Sequence, residues 1–278
     1  MRNVTTADGL TLAYDDQGAG VPLLCLAGLT RNMDDFEPLL EAFGDRARII
    51  RLDSRGRGAS DFAEDVMTYS VVQEAADALA LVDHLGLDKV AILGTSRGGL
   101  LAMTLAFQHK HRLAGVLLND IGPDIDADGL RFIMTYLGEP PPFDTLQDAI
   151  EGLPDRMAPA FRNVSPEGWE RFARRCWSVA PDGRLGLRYD PRLRDAVEAQ
   201  AEGLEPPDLW PLFGLLEGVP LGLIRGANSD LLTRETAGKM QALRPDMDYT
   251  EVPDRGHVPF LDEPESIAAI TRFLEQLR

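Results

Sequence analysis

A serine flanked by glycines is the first feature of this sequence that could do chemistry. Residues 94–99 read GTSRGG, which matches the pattern Gly-x-Ser-x-Gly with Ser96 at its centre. An apolar run precedes the motif and a helical pattern follows it, which is the context that such a motif requires. Flanking glycines allow a sharp strand-to-helix turn that exposes the hydroxyl, beside the backbone N–H groups of a helix start. The motif predicts that Ser96 is a nucleophile. The alternative is a glycine-rich loop that only turns the chain.

A serine nucleophile needs a base, and the sequence has four histidines. His257 lies in the loop RGHVPF, after a predicted strand at 248–252, so we expect it at the carboxyl edge of a sheet, near Ser96. A surface loop histidine is the alternative interpretation. The other three histidines lie in helical patterns and are interpreted as solvated: His84, His109 and His111.

The base in turn needs an acid that orients its ring and stabilises the imidazolium. Two aspartates follow predicted strands, Asp230 after 221–226 and Asp120 after 116–118. We favour Asp230, because of its loop position and because the order Ser96, Asp230, His257 is the expected chain order for this kind of site. Asp120 is the rival.

An acyl-transfer site also needs two donors for the oxyanion. We expect one to be the backbone N–H of Arg97, the residue after the nucleophile. The other is expected from the loop after the apolar run at 22–27, at the backbone N–H of Leu29. An ordinary turn is the alternative interpretation of that loop. These groups suffice for attack on a carbonyl, formation of an acyl-enzyme and its hydrolysis, so the predicted mechanism requires no metal and no cofactor.

The elements that must position these residues alternate between strands and helices. Apolar runs predict buried strands at 22–27, 48–52, 90–93, 116–118 and 221–224, and Asp8-Gly9 predicts a two-residue hairpin that opens the chain. Helical patterns occupy 71–85, 100–107 and 266–277. This alternation predicts an α/β fold with a mostly parallel, doubly wound sheet.

The alternation stops between residues 124 and 216. This stretch holds helical patterns at 130–137, 145–161, 166–179 and 192–201, with proline clusters at 140–142 and 206–207. We therefore predict a core domain at 1–123 and 217–278, and a helical insertion at 124–216, after the sixth strand, over the edge where such sheets bind ligands.

Composition narrows the classes of partner. The chain has 278 residues and a formal net charge of −17, which disfavours binding to nucleic acids and to anionic membranes. Its two cysteines, Cys25 and Cys176, match no metal-binding spacing, and no signal-like start or apolar stretch of membrane-spanning length is seen. We expect a cytoplasmic, soluble protein whose partner is a small molecule, and the oligomeric state is left open.

Taken together, these residues resemble the α/β-hydrolase superfamily over nearly the whole chain. Residues 53–60, DSRGRGAS, look like the family's Asp-x-Arg-Gly-x-Gly-x-Ser loop, which we interpret as structural. The acid and base segments also match, and the insertion resembles the family's helical cap. Two positions depart from the family. Ala27 stands where relatives often have histidine, so the tether of the oxyanion loop is not identified. Arg97 stands where they often have an apolar residue, and could meet either a substrate carboxylate or an acid of the protein, of which we favour the second.

The resemblance implies acyl chemistry, because relatives that cleave haloalkanes or epoxides carry aspartate at the position of Ser96. We expect hydrolysis of a small ester, lactone or related acyl substrate. Cleavage of a carbon–carbon bond in a vinylogous diketone by the same triad is the first alternative, and a ligand receptor of low turnover is the second. Candidate substrate-binding residues are Arg31, Phe132, Tyr136, Trp177 and Val258. Other cap aromatics are expected either to line an apolar pocket or simply to pack.

Overall fold

The computed structural model describes residues 1–203 and 207–278. Its strands are β1 (Arg2–Thr5), β2 (Thr11–Gly18), β3 (Val21–Leu26), β4 (Ala47–Leu52), β5 (Val90–Thr95), β6 (Leu113–Asn119), β7 (Trp177–Val179), β8 (Leu185–Leu187), β9 (Leu221–Gly226) and β10 (Asp248–Val252). Its α-helices are α1 (Glu37–Phe43), α2 (Val71–His84), α3 (Arg97–His109), α4 (Ala127–Met134), α5 (Leu146–Met157), α6 (Pro166–Cys176), α7 (Leu193–Ala201), α8 (Trp210–Gly214), α9 (Arg234–Leu243) and α10 (Pro264–Gln276).

Eight of the strands form one sheet in the order β1-β2-β4-β3-β5-β6-β9-β10. The pairs from β4 to β10 are parallel, whereas β1 pairs with β2, and β2 with β4, in the antiparallel sense. The predicted α/β class, with a mostly parallel sheet and an antiparallel edge, is therefore confirmed.

Both faces of the sheet are covered, which explains why its central strands are apolar without alternation. In β3, Leu24 and Leu26 pack on one face with residues of α2 and α3, and Leu23 and Cys25 pack on the other with residues of α1 and α10. All six residues of β5 are buried. A parallel strand with helices on both sides has no solvent face, so every position along it favours an apolar side chain.

The opening hairpin differs from the sequence prediction in its loop. The backbone N–H of Thr6 donates to the carbonyl of Leu10 at 2.9 Å, and that of Gly9 donates to the carbonyl of Thr6 at 3.0 Å. The loop therefore holds three residues rather than two, with Gly9 at φ +88°. This is the hairpin in which a turn is followed by a left-handed residue, and Asp-Gly suits it as well as it suits the shorter turn.

The segment between β6 and β9 is mainly helical, as its pattern predicts, and contains α4 to α8. Three helices end earlier than predicted, because those expected at 130–137, 145–161 and 166–179 end at Met134, Met157 and Cys176. The backbone of Trp177 is extended, and Trp177–Val179 pairs with Leu185–Leu187 as a small antiparallel ribbon. Aromatic and β-branched residues favour such strands, and this preference outweighs the helical periodicity there. Of the second proline cluster, Pro206 lies outside the described residues.

Backbone hydrogen bonds join this segment to the loop at 53–60. Gly58 donates its N–H to the carbonyl of Arg188 at 2.8 Å, and Asp190 donates to the carbonyl of Gly56 at 2.8 Å. Between them, Arg57 and Tyr189 form an isolated antiparallel bridge. The helical segment is thus bonded to the sheet domain partway along its length, and not only through its two covalent ends.

Candidate active site

Ser96 occupies the sharp turn between β5 and α3. Its backbone lies at φ +50° and ψ −115°, a conformation that non-glycine residues rarely adopt. The flanking glycines explain how the turn fits. A Cβ at Gly98 would lie 2.0 Å from the carbonyl oxygen of Leu26, and one at Gly94 would lie 2.5 Å from the backbone of Gly98. Only glycine avoids both clashes, so the predicted strand, turn and helix are all present around Ser96.

The imidazole of His257 connects the serine to an aspartate. Its Nε2 lies 2.9 Å from Ser96 Oγ, and its Nδ1 lies 2.8 Å from Asp120 Oδ2. An ionised carboxylate can only accept hydrogen bonds, so Nδ1 carries the ring proton and Nε2 is left to accept from the serine hydroxyl. The structure thus places His257 beside Ser96.

The aspartate at the imidazole is Asp120, and the expectation that Asp230 contacts His257 is wrong. Asp120 follows β6, which is the neighbour of β5 in the sheet, so its carboxylate emerges one strand away from Ser96. Asp120 is fully buried and lies at φ +56°. It accepts hydrogen bonds from the backbone N–H of Gly226 at 2.7 Å and from Ser229 Oγ at 2.6 Å. Asp230 is exposed and lines the cavity beside the site.

The two expected oxyanion donors belong to segments next to the serine. Gly28 is close to Ser96, because a Cβ at Gly28 would lie 3.7 Å from the serine Cβ, and Leu29 follows it on the same loop. Within residues 1–203 and 207–278, the backbone N–H groups of Leu29 and Arg97 have no hydrogen-bond acceptor in the chain. Both groups therefore remain available to a ligand.

The side chain of Arg97 binds an acid of the protein, which is the second of the two alternatives left by the sequence. Its Nε lies 2.8 Å from Glu74 Oε2 and its Nη2 lies 2.9 Å from Glu74 Oε1, in a bidentate pair. Arg97 also donates to the carbonyl of Tyr69 at 3.0 Å.

A cavity of about 450 Å³ opens beside Ser96 and His257. It is lined by the five residues proposed from sequence as substrate contacts: Arg31, Phe132, Tyr136, Trp177 and Val258. Most of its wall is apolar and aromatic. The side chain of Phe132 is half exposed. The hydroxyl of Tyr136 is desolvated, and this burial raises its pKa well above the ordinary range.

Arg31 is not a free cation in this cavity. Its Nε lies 2.8 Å from Asp35 Oδ2, its guanidinium packs over the ring of Phe172 at 4.9 Å, and it contacts the sulfur of Cys176. Burial works to lower the pKa of Arg31, but Asp35 outweighs it and holds the pKa above its usual value. Burial also raises the pKa of the Cys176 thiol, so that thiol stays protonated.

The remaining aromatic side chains of the helical segment divide between lining the cavity and packing. Phe161 lines the cavity and stacks on Phe260, with ring centroids 5.4 Å apart. Trp169 is buried in the aromatic cluster behind them, and Trp210 packs against Phe213 at the main core. Packing is therefore the role of Trp169 and Trp210.

Sequence reasoning missed Ser229, Arg57 and Glu74 as site residues. Ser229 directly precedes the aspartate that we favoured, and its hydroxyl, rather than the neighbouring carboxylate, bonds to Asp120. The spacing of residues in α2 could have identified Glu74, because it shares the apolar face of that helix with Ala78 and Leu81, four and seven residues further along. A charged residue on a buried helix face needs a partner, and this one has two.

Two features are absent from the residues that the structure describes. No helix within residues 1–203 or 207–278 is both long enough and apolar enough to cross a membrane. In the same residues, no cluster of three or more His, Cys, Asp or Glu side chains has the arrangement of a metal site.

Comparison with known proteins gives consistent matches over most of the chain. Residues 23–270 match the model of the alpha/beta hydrolase family. A 3-hydroxybutyrate-oligomer hydrolase of Cupriavidus necator is 36% identical over 259 residues, covering 90% of this chain and 87% of that protein. A 2-(acetamidomethylene)succinate hydrolase of Mesorhizobium japonicum is 29% identical, covering 96% and 92%. The crystal structure of an alpha/beta hydrolase from Novosphingobium aromaticivorans is 40% identical, covers 99% of this chain and 97% of that one, and superposes with a TM-score of 0.91. This chain belongs to the alpha/beta hydrolase family.

Proposed function

We propose that this protein hydrolyses small carboxylic esters through an acyl-enzyme formed on Ser96, with His257 as base and Asp120 as the orienting acid. One observation carries the proposal: the His257 ring bridges Ser96 Oγ and Asp120 Oδ2 at 2.9 and 2.8 Å. A nucleophile, a base and an orienting carboxylate in hydrogen-bond contact are the arrangement that activates a serine hydroxyl.

The reaction proceeds in two halves. His257 Nε2 takes the proton of the Ser96 hydroxyl as its oxygen attacks the ester carbonyl. The backbone N–H groups of Leu29 and Arg97 hold the oxyanion, and His257 then gives the proton to the departing alcohol. In the second half, His257 activates a water that attacks the acyl-enzyme, and the acid leaves while Ser96 regains its proton. Each step uses groups of this chain alone.

The segment 124–216 acts as the cap in this proposal. It supplies Phe132, Tyr136 and Trp177 to the cavity wall, while Leu29 and Val258 come from loops of the sheet domain. An apolar wall of this kind favours an aliphatic or aromatic acyl chain over a strongly charged one.

The relative from Cupriavidus necator directs the choice of first substrates. Its name specifies oligomers of 3-hydroxybutyrate, and it covers nine-tenths of this chain. Such oligomers are short chains joined by ester bonds, and the cavity beside Ser96 has the volume for a ligand of several carbon units. We therefore propose short aliphatic esters, including hydroxyacid oligomers, as the substrate class.

A fluorophosphonate probe tests the chemistry and a substrate panel tests the class. The probe should label Ser96, and mapping of the adduct should show no label in Ser96→Ala. The panel contains nitrophenyl esters of increasing chain length, a 3-hydroxybutyrate dimer and trimer, a lactone, and a ring-fission dienoate. Turnover of esters with no cleavage of the dienoate supports the proposal. Cleavage of the dienoate alone would instead make the protein a carbon–carbon bond hydrolase.

A receptor would behave differently in the same assays. It would bind a panel member tightly, as measured by calorimetry, while turning over none of the esters, the lactone or the dienoate. That outcome would overturn the proposal even if the probe reacted with Ser96.

A further inference from the structure

Glu74 lies buried beneath the candidate site and binds two arginines. Its side chain is about 1% exposed, and its Oε1 lies 2.8 Å from Nη1 of Arg57. The bidentate pair with Arg97 uses the same carboxylate. One carboxylate thus joins a residue of the 53–60 loop to the residue that follows the nucleophile. It touches neither Ser96 nor His257.

The other end of this cluster reaches the oxyanion loop. Arg57 Nε donates to the backbone carbonyl of Leu29 at 2.9 Å. The carbonyl and the N–H of Leu29 lie in adjacent peptide planes that meet at the Leu29 Cα, so the bond to Arg57 anchors the loop at the residue that carries the expected donor. Arg57 is itself held in place, because Nη1 also donates to the carbonyl of Arg55 at 2.7 Å and the guanidinium lies 5.6 Å from the ring centre of Tyr69.

Arg57 tethers the oxyanion loop, a role for which the sequence identified no residue. Ala27 stands beside Gly28 in the oxyanion loop and offers no side chain that could hydrogen-bond. Arg57 supplies the missing bond from a different loop, and Glu74 orients Arg57. The same carboxylate orients Arg97, whose backbone N–H is the second expected donor.

We propose that Glu74 is a positioning residue that sets the geometry of both oxyanion donors at once, through Arg57 to Leu29 and directly through Arg97. The inference rests on the proposed function, because it concerns the oxyanion of that reaction. Donor placement matters in such sites because the N–H groups must meet the oxyanion where it forms, and not the ground-state carbonyl.

Charge explains why one residue can have this effect. The buried guanidinium of Arg57 and the partly buried one of Arg97 face a single carboxylate, and their attraction outweighs burial and holds the pKa of Glu74 below its ordinary value. Replacing Glu74 with glutamine would leave Arg57 and Arg97 facing each other without a counter-charge. The two guanidinium groups would then repel one another and move. Arg57 is hydrogen-bonded to the carbonyl of Leu29, and Arg97 carries the second expected donor on its own backbone, so the movement would disturb both donors.

The same helix provides a matched control. Asp77 lies three residues after Glu74, is also buried, and pairs bidentately with Arg55 at 2.6 and 2.7 Å. The Arg55 guanidinium also binds Asp8, in the opening hairpin, and Arg55 meets Arg57 through its backbone carbonyl and not through its side chain. The Asp77–Arg55 side-chain pair therefore makes no bond to Leu29 or Arg97. Asp77→Asn should therefore disturb stability without disturbing the oxyanion donors.

The experiment compares Glu74→Gln with Asp77→Asn on the best ester found in the panel. In Glu74→Gln we expect kcat to fall by about 10- to 100-fold, part of the loss seen when an oxyanion donor is removed, with KM changed by less than about threefold. Binding of a trifluoromethyl ketone, which forms a tetrahedral adduct with a serine, should weaken by the same factor as kcat/KM falls. Binding of the product acid should not change. In Asp77→Asn, kcat and ketone binding should stay within about twofold of the wild type, whatever the loss in stability.

Two outcomes would overturn the inference. The first is a folded Glu74→Gln protein with wild-type kcat and ketone affinity, and the second is an equal loss in Asp77→Asn. If Glu74→Gln does not fold, Arg57→Met tests the Leu29 arm of the proposal, because it removes the bond to Leu29 and leaves the Glu74–Arg97 pair intact. A fall in kcat and in ketone affinity by a common factor would support the proposal, and wild-type values of both would overturn it. Failure of the proposed function is distinguishable, because the wild-type protein would then turn over no ester at all.

Discussion

Two aspartates follow neighbouring strands of this sheet, and only one of them contacts the imidazole. Asp120, after β6, is fully buried and receives hydrogen bonds from Gly226, Ser229 and His257. Asp230, after β9, is exposed and has no hydrogen-bond donor to its side chain within residues 1–203 and 207–278. Chain order cannot separate them, because both lie between Ser96 and His257. The two aspartates differ instead in the hydrogen-bond donors that point at the carboxylate.

Burial makes those donors necessary. An ionised carboxylate removed from water is costly unless hydrogen bonds replace the lost solvation. The end of β9 therefore contributes a backbone N–H and a serine hydroxyl to the acid of the neighbouring strand, and its own aspartate stays in contact with water. The difference shows that the end of one strand can support a buried carboxylate that follows the neighbouring strand, without supplying that carboxylate.

The sharpest test of this comparison exchanges each carboxylate for an amide. Asp120→Asn should lower kcat by about 10⁴-fold, because an amide at that position favours the wrong tautomer of the imidazole. Asp230→Asn should leave kcat for a neutral ester within about twofold. Steady-state kinetics on the folded variants measures both, and the reverse ranking would restore Asp230 as the acid.

A third strand-end aspartate tests what burial does to the pKa of a carboxylate that has fewer hydrogen-bond donors than Asp120. Asp53 follows β4, is buried, and accepts backbone N–H bonds from Met33 at 2.7 Å and Ala59 at 2.9 Å. Burial outweighs those bonds and raises the pKa of Asp53 to about 6. The native state then holds this proton more tightly than the unfolded chain, so its contribution to stability falls as pH rises from about 4 to 6, by a total on the order of 3 kcal/mol.

Denaturant unfolding of the wild type and of Asp53→Asn across pH 4 to 8 measures that contribution. The stability difference, wild type minus variant, should decline through this window and then level off. A stability difference that is flat or that rises with pH would contradict a raised pKa for Asp53.

Loss of the supporting hydroxyl should have a smaller effect than loss of the acid. Ser229→Ala removes one donor from the Asp120 carboxylate, and we expect kcat to fall by about tenfold. Ser229→Thr keeps the hydroxyl and is the matched control, with activity near that of the wild type. Equal activity in all three proteins would mean that Gly226 alone suffices to hold the acid.

The smallest effect concerns the charge of Asp230 in the cavity wall. Asp230→Asn removes a negative charge beside the substrate, so kcat/KM for an anionic ester should rise by about two- to threefold relative to a neutral one. Added salt should shrink this difference, because the site is open to solvent. A preference that is unchanged, or that shifts toward the neutral ester, would show that the carboxylate points away from bound substrate.

Local patterns in the sequence predicted the features that depend on near neighbours along the chain. The buried strands follow from unbroken apolar runs, and the position of Ser96 follows from glycines within two residues of it. His257 was identifiable because a loop context separated it from the three helical histidines. Each of these signals lies within one secondary-structure element and its adjacent turn.

Features that depend on lateral neighbours were not predictable. Asp120 and Asp230 follow similar strands, and only the spatial order of the sheet shows that β6 lies next to β5. The tether from Arg57 to Leu29 joins residues 28 positions apart through a side chain that the motif at 53–60 does not identify. The three-residue hairpin loop was missed because Asp-Gly is compatible with two turn geometries.

The main-chain bonds that join residues 56–58 to residues 188–190 have a consequence for engineering. A chimaera in which the helical segment is replaced by that of a relative has to preserve these main-chain bonds, called the seam below, as well as the two covalent junctions. Since main-chain atoms make the seam, the replacement can differ in side chains but not in the path of its chain there. Insertions are better placed between α4 and α5, on the cavity side, where they would change which substrates fit and leave the seam in register.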